Sequence, residues 1–233
     1  MPDQLICPWL VPQAPTVFQT IFESYGQRQT IGPRRCIQSD LEPYRHARLI
    51  TSGVVSQAVT NHRLNKAVAL NLYPAGSFLG VINLSTGVNS PRILNTVTTT
   101  ELISLESRTL RELIYADKAL VIALLEYMEL VAKSELIGME ALFSLSVPER
   151  VLLWFASSIL YFGGELLEST QEYLPLPFTV SRSVLCNIVY TTRTPLDKVL
   201  ADMTKAKVIV THVNAKLVRR KDLLEITDWI LSR

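Results

Sequence analysis

Apolar positions along this chain change their period twice. Near the N-terminus, Val17, Phe18, Ile21 and Phe22 share one side of a short helix predicted within residues 11–26. Over residues 29–105 the texture differs. Short β-branched runs (48–59, 66–73, 93–97 and 102–105) alternate with turn signals at Ile31-Gly32-Pro33, Ser52-Gly53, Pro74-Ala75-Gly76 and Ser85-Thr86-Gly87. Val68, Leu70 and Leu72 alternate as in a half-buried strand. Many short strands with regular Gly/Pro punctuation predict an antiparallel roll, barrel or sandwich.

At Ser107 the period becomes helical. Residues 109–115 read as a short helix, and Asp117 caps a longer one reaching about residue 145. A heptad on it places Val121, Met128, Glu135 and Leu142 at a, and Leu124, Val131, Gly138 and Leu145 at d. Charged Glu126, Lys133 and Glu140 fall at f. This seam predicts a homodimer through Val121, Leu124, Met128, Val131, Gly138 and Leu142, with Gly138 permitting close approach. Leu125, Tyr127, Leu130, Ala132, Ile137 and Met139 are apolar too, so a second face must pack inside the subunit. The alternative is a core helix buried wholly within one subunit.

Pro148 interrupts the chain, and residues 149–161 form a further apolar helix that Gly163-Gly164 ends. Residues 165–178, with Pro175 and Pro177, read as a loop or a partly extended link. Ser181 caps a helix through Val184, Leu185, Ile188 and Val189. A turn at Tyr190-Thr191-Thr192 leads to a second helix with Pro195 in its first turn, where a missing N–H costs nothing. Leu196, Val199, Leu200 and Met203 form its inner face; Arg193, Thr194, Asp197, Lys198 and Lys205 lie outside. That is helix-turn-helix geometry, able to present Arg193 and Lys198 to guanine edges or phosphates. Residues 208–210 and 216–218, turning at Asn214, read as a wing hairpin that sets Lys216 and Arg219 beside phosphates. A last helix is expected over residues 222–231.

Composition narrows the class. With 48% hydrophobic and 19% charged residues, the chain has a globular rather than a disordered profile. The net charge of +2 hides an asymmetry: residues 1–178 hold 13 Lys/Arg against 16 Asp/Glu, and residues 179–233 hold 10 against 5. A basic C-terminal module points to a polyanion, most often nucleic acid. Residues 67–91 carry no charge, yet Asn71, Pro74, Gly76, Gly80 and Asn83 spoil a membrane span, so no membrane partner is expected. Met1-Pro2-Asp3-Gln4 opens no signal peptide. Cys7, Cys36 and Cys186 make no CxxC or Cys/His cluster, which argues against structural zinc or an iron–sulfur site and fits a cytoplasmic setting. No GxSxG, HExxH, GxGxxG or Walker pattern occurs, and the three histidines stand far apart. Catalytic residues, metal and cofactor are all expected to be absent.

The order of parts carries a resemblance. Leu49-Ile50-Thr51-Ser52-Gly53-Val54-Val55 is similar to a strand-Ser-Gly-strand, and Pro74-Ala75-Gly76-Ser77-Phe78-Leu79-Gly80 to a Pro-x-Gly-x-x-x-Gly turn, of the cyclic-AMP receptor / fumarate–nitrate regulator (CRP/FNR) family. Pro148-Glu149-Arg150-Val151-Leu152 resembles the start of that family's first DNA-domain helix. Ser181-Arg182 and Thr192-Arg193-Thr194 resemble the residues that open its two helix-turn-helix helices. The resemblance spans roughly residues 29–219. It implies an α+β fold: an N-terminal antiparallel, cyclic-nucleotide-binding-like β-roll over 1–116, a long dimerisation helix over 117–146, and a C-terminal winged helix-turn-helix over 147–233. It also implies a dimeric transcriptional regulator of double-stranded DNA, with RNA polymerase as a further partner. The implied DNA-binding residues are Ser181, Arg182, Thr192, Arg193, Thr194, Lys198 and Lys216.

The implied effector pocket comprises Gly76, Gly80, Val81 and Arg92. In cyclic-nucleotide-binding members a Glu follows the second glycine; here Val81 stands there and cannot accept a ribose hydrogen bond. Arg92 sits one position out of register, and Ser134 stands alone where an adenine edge would need a Ser/Thr pair. Cyclic AMP is therefore not the expected effector. Tyr190, where the family commonly has Gly, and Pro195, in place of a polar residue, predict a turn built differently. The rival reading is an interaction protein that keeps the architecture without operator recognition.

Overall fold

The computed structural model of the chain describes residues 6–39, 43–61, 66–81, 84, 92–162, 168–212 and 215–232. The expected turn at Ser85-Thr86-Gly87, the stop at Gly163-Gly164 and the wing tip at Asn214 lie outside the described residues, as do the side chains of Val68 and Leu70. Two compact units emerge: Val11–Lys133, and Met1–Leu10 together with Ser134–Arg233.

In the first unit the β-branched runs become antiparallel strands, as expected. These are β1 (Gln27–Ile31), β2 (Cys36–Gln38), β3 (His46–Ser52), β4 (Val54–Asn61), β5 (Lys66–Pro74), β6 (Phe78–Leu79), β7 (Arg92–Thr96) and β8 (Thr100–Glu106). They form two four-stranded sheets, ordered β1-β8-β3-β6 and β2-β7-β4-β5. In the second sheet Val55 faces both Tyr73 and Thr96. Gly53 turns between β3 and β4 at a φ of 87°, where a Cβ would lie 2.3 Å from the Thr99 carbonyl oxygen. Only glycine fits there.

The helix Thr16–Tyr25 buries Phe18 and Phe22 against this core. Phe22 meets the Phe78 ring edge-on at 5.1 Å, and Tyr127 stacks on its other side at 6.1 Å. Tyr127 is fully buried, and its hydroxyl accepts from the Phe78 N–H at 3.1 Å and donates to the Pro12 carbonyl at 3.2 Å. A tyrosine tolerates such burial because its hydroxyl both donates and accepts.

The long helix runs Lys118–Ser144, and the Asp117 carboxylate accepts from the Ala119 N–H at 2.8 Å. Its buried stripe is Leu124, Tyr127, Val131, Ser134, Gly138 and Ala141. The d column of the expected seam is thus spent inside the subunit: Leu124 and Val131 belong to the core of the first unit. Gly138 receives the Trp9 side chain; a Cβ there would sit 2.9 Å from the Trp9 ring. Val121, Met128 and Leu142 are half-buried. The apolar positions left outside are Ile122, Leu125, Ala132, Leu136, Met139 and Phe143. They also repeat as a heptad, displaced by one residue, or about 100° around the helix, from the expected seam.

In the second unit the helix Val147–Tyr161 begins where the Ser146 N–H donates to the Glu149 carboxylate at 2.7 Å. The Ser146 side chain and this backbone bond hold the Glu149 carboxyl below its ordinary range. Next in the chain, Arg150 is buried, and its guanidinium donates to three carbonyls: Val189 at 2.9 Å, Leu142 at 3.2 Å and Leu145 at 2.6 Å. Burial draws its pKa below the usual arginine value. One cation therefore holds the end of the long helix, the start of the next and the end of the helix Arg182–Ile188. The second helix of the pair spans Arg193–Lys205. The hairpin β10 (Ile209–His212) and β11 (Ala215–Arg219) gains a third strand, β9 (Tyr173–Pro175), from the segment expected to be a link. Pro175 fits because β9 is an edge strand. The last helix is Arg220–Leu231.

Replacing Arg150 with Met should cost the second unit about 2–4 kcal/mol, since three buried or partly buried carbonyls lose a charged donor. All three tryptophans, Trp9, Trp154 and Trp229, lie in this unit, so urea unfolding followed by tryptophan fluorescence reads it directly. An unchanged midpoint would mean that water replaces the guanidinium without loss.

Candidate nucleic-acid interface

The helix pair is assembled from local signals. The Ser181 hydroxyl accepts from the Val184 N–H at 3.3 Å and so caps the first helix, which buries Leu185, Cys186 and Ile188. The helix closes as the Val189 N–H bonds to the Leu185 carbonyl and the Thr191 N–H to that of Cys186. Between them Tyr190 adopts a φ of 48° with its ring mostly in solvent. The turn keeps a left-handed residue; it simply uses tyrosine, not glycine, at a steric cost of about 1–2 kcal/mol. Pro195 occupies the third residue of the second helix, whose first N–H to bond backward is that of Leu196, to the Thr192 carbonyl. Pro195 therefore removes no helical bond.

Inward, the second helix buries Leu196 and Met203, with Val199 and Leu200 half-buried. That orientation turns Arg193, Thr194 and Lys198 to solvent within its first two turns, beside Thr192 at its N-cap. Lys216 is exposed on β11, opposite Thr211. Arg182, at the start of the first helix, bonds directly to the Asp197 carboxylate. Arg193 approaches the other Asp197 oxygen at 3.5 Å, with 80% of its side chain exposed. Asp197 thus orients two arginines whose side chains remain largely in solvent. Exposed pairs of this kind contribute about 0–1 kcal/mol to stability, so their effect is on placement. Sequence alone places Asp197 only on the outer face, although its spacing of four from Arg193 is the signal that reveals the pair.

Arg219 departs from its expected place beside phosphates. Its guanidinium forms a forked pair with the Asp222 carboxylate at 2.5 and 3.0 Å and also donates to the Ala206 carbonyl. With 19% of its side chain exposed, it fastens the hairpin to the last helix.

The four residues of the expected effector pocket are placed as follows. Gly76 bonds through its backbone to Ile50 and Ala14, and the Gln13 side chain packs where a Cβ would stand. Gly80 turns at a φ of 93°, and Val81 is buried in the core. Arg92 lies half-buried on β7 near Tyr44, whose phenol burial pushes up to about 12 despite Arg48 and Arg92. Val81 does line a cavity of about 260 Å³, with Leu84, Ile114, Val121, Leu124 and Met128, and with Arg111 as its charged group. Tyr115 and Leu125 complete the lining, which is mostly apolar. Ser134 is also committed: its hydroxyl lies 2.8 Å from the Cys7 carbonyl and 2.9 Å from that of Leu10. Burial pushes the Cys7 thiol up to about 12, which makes it a poor nucleophile. Among the described residues no group of three His, Cys, Asp or Glu side chains is placed to hold a metal ion, and no helix is long and apolar enough to cross a membrane.

No sequence-family model and no curated protein sequence matches the chain. Solved structures do. FixK2 from Bradyrhizobium japonicum superposes with a TM-score of 0.71 at 13% identity, covering 86% of this chain and 96% of its own. CLP from Xanthomonas campestris, a c-di-GMP responsive global regulator, gives 0.70 at 16% identity, covering 88% and 99%. A transcriptional regulator of the CRP/FNR family from Thermus thermophilus gives 0.62 at 17% identity, covering 87% and 98%. The fold is CRP/FNR-like, as the order of sequence motifs implied.

The strained turn yields a direct expectation. Tyr190→Gly should raise the stability of the second unit by about 1 kcal/mol, because the left-handed conformation then carries no Cβ penalty and the exposed ring packs little. Urea midpoints measured by tryptophan fluorescence would show it; a lower midpoint would mean the ring contributes more than the strain it brings.

Proposed function

We propose that this chain, built on the CRP/FNR-like fold, is a homodimeric, sequence-specific DNA-binding transcriptional regulator that works without cyclic AMP. The observation that carries the reading is the helix Arg193–Lys205, which buries Leu196 and Met203 and projects Arg193, Thr194 and Lys198 from its N-terminal turns, next to Thr192. Such a helix suits a major groove, with Ser181 and Arg182 at the flank and the hairpin acting as a wing that brings Lys216 to the backbone. The basic balance of residues 179–233 supports a polyanionic partner. Val81, buried and unable to accept a ribose hydrogen bond, supports the independence from cyclic AMP.

Dimerisation follows from the exposed heptad. Leu125, Leu136, Met139 and Phe143 are 60%, 59%, 50% and 90% exposed along one helix, and a mostly apolar stripe of that kind, interrupted by Glu129, calls for a partner. A second copy of the same helix matches it; Glu129 falls within the seam between Ile122 and Leu136, and Lys133, 2.7 Å from it, pairs with it from the margin. Two recognition helices would then read half-sites about 34 Å apart on a roughly palindromic operator.

Two experiments test this. In gel shifts at two salt concentrations, Arg193→Ala should erase a preference of about 1–3 kcal/mol between operator and random duplex. Lys216→Ala should weaken both about equally and lower the salt slope by about one. A wild-type protein with no preference among sequences would favour the interaction-protein reading instead. In sedimentation, Leu125→Asp with Leu136→Asp should give folded monomers, whereas Leu124→Asp should unfold the first unit. Dimers that survive the double substitution would place the interface elsewhere.

A further inference from the structure

The second unit contains a cleft of about 790 Å³, walled by the helix Val147–Tyr161, the segment 176–180, the helix Arg193–Lys205 and the hairpin. We propose that this cleft is a binding site for a small amphipathic organic anion, an aromatic body carrying one acidic group. Its size falls in the range of small-molecule sites, about 300–1,000 Å³.

The floor is apolar and aromatic. Trp154, Phe155 and Ile209 are buried there, while Phe178 and Leu200 are half-buried with faces still uncovered. Phe178 is held in place: its ring meets Trp154 edge-on at 5.9 Å and Phe162 at 5.2 Å. Leu176, Phe178 and Val180 alternate with more exposed Pro177 and Thr179, so an extended segment supplies one wall of side chains. The Leu176 N–H anchors that wall to the Lys216 carbonyl at 3.0 Å. The half-buried face of Phe178, beside buried Trp154 and Phe155 in a preformed cleft, favours a planar apolar body over water.

The rim has the opposite character. Arg182, Arg193, Lys205 and Lys216 border the cleft against the single carboxylate of Asp197. That excess of positive charge selects an acidic group, through charge-assisted hydrogen bonds, over a neutral or cationic one. DNA phosphates would meet the rim alike, but no part of a duplex backbone fills an aromatic floor. Apolar floor and cationic rim together define the ligand as amphipathic.

The test uses the full-length protein and contains no DNA, so its outcome is independent of the operator-binding reading. Titration with 1-anilinonaphthalene-8-sulfonate, followed by fluorescence, should show one saturable site per chain. N-phenyl-1-naphthylamine, the same body without the acid, should bind about tenfold more weakly. Ala201→Trp, an exposed position on the cleft wall, should fill the space and abolish the saturable site. Lys205→Glu with Lys216→Glu, both at exposed positions, should remove the preference for the sulfonate while leaving the fold intact. Saturable binding that survives Ala201→Trp, equal affinity for the two probes, or no saturable binding at all would each overturn the proposal.

Discussion

The Arg150 guanidinium is the contact on which the second unit is organised. A helix C-terminus leaves carbonyls without intrahelical donors, and here two such ends meet. The long helix stops at Ser144, the first helix of the pair stops at Ile188, and Arg150 donates to Leu142, Leu145 and Val189. A positive charge at two helix C-termini is also favoured by their dipoles. No apolar residue donates at all, and a lysine ammonium does not span the same fork. The orientation of the helix pair relative to the helix before it thus depends on one side chain. The fold's tolerance of a buried cation follows from the same contacts, because every bond it makes offsets desolvation.

From that frame the exposed chemistry follows. Leu196 and Met203 fix which side of Arg193–Lys205 is inside, so Arg193, Thr194 and Lys198 have no choice but solvent. Asp197 then refines the arrangement by engaging both Arg182 and Arg193. Tyr190 shows the cost of the tight junction: the left-handed residue persists although the side chain there is a poor one for it. The same geometry leaves the hairpin and the second helix apart, and the cleft between them exposes aromatic surface beside four cations.

The sequence by itself determined the order and type of most elements, strand β9 being an exception. Strand runs over 48–59, 66–73 and 102–105 became antiparallel strands because β-branched alternation and Gly/Pro turns act locally. Asp117 and Ser181 were legible as caps because a cap needs no partner beyond the next turn. The outward residues of the second helix were legible because its inner stripe is purely apolar.

Tertiary structure decided what periodicity alone leaves open. The long helix carries two apolar stripes, and the choice between them turned on Ser134 and Gly138. Neither side is built from a large apolar residue, yet both positions are buried, one bonded to the Cys7 and Leu10 carbonyls and the other packed by Trp9. A hydrophobic count gives such positions little weight, so it sets the expected seam one residue away from the stripe that stays exposed. Arg219 shows the same limit for charge: lying three residues before Asp222, it became a strut. That Val81 cannot hold a ribose is plain from its side chain, but its place beside a mostly apolar cavity depends on Ile114, Val121 and Leu124 arriving from elsewhere in the chain. Local signals suffice for caps, turns and strand order, whereas the identity of a buried neighbour is a property of residues distant in sequence, and only folding brings them together.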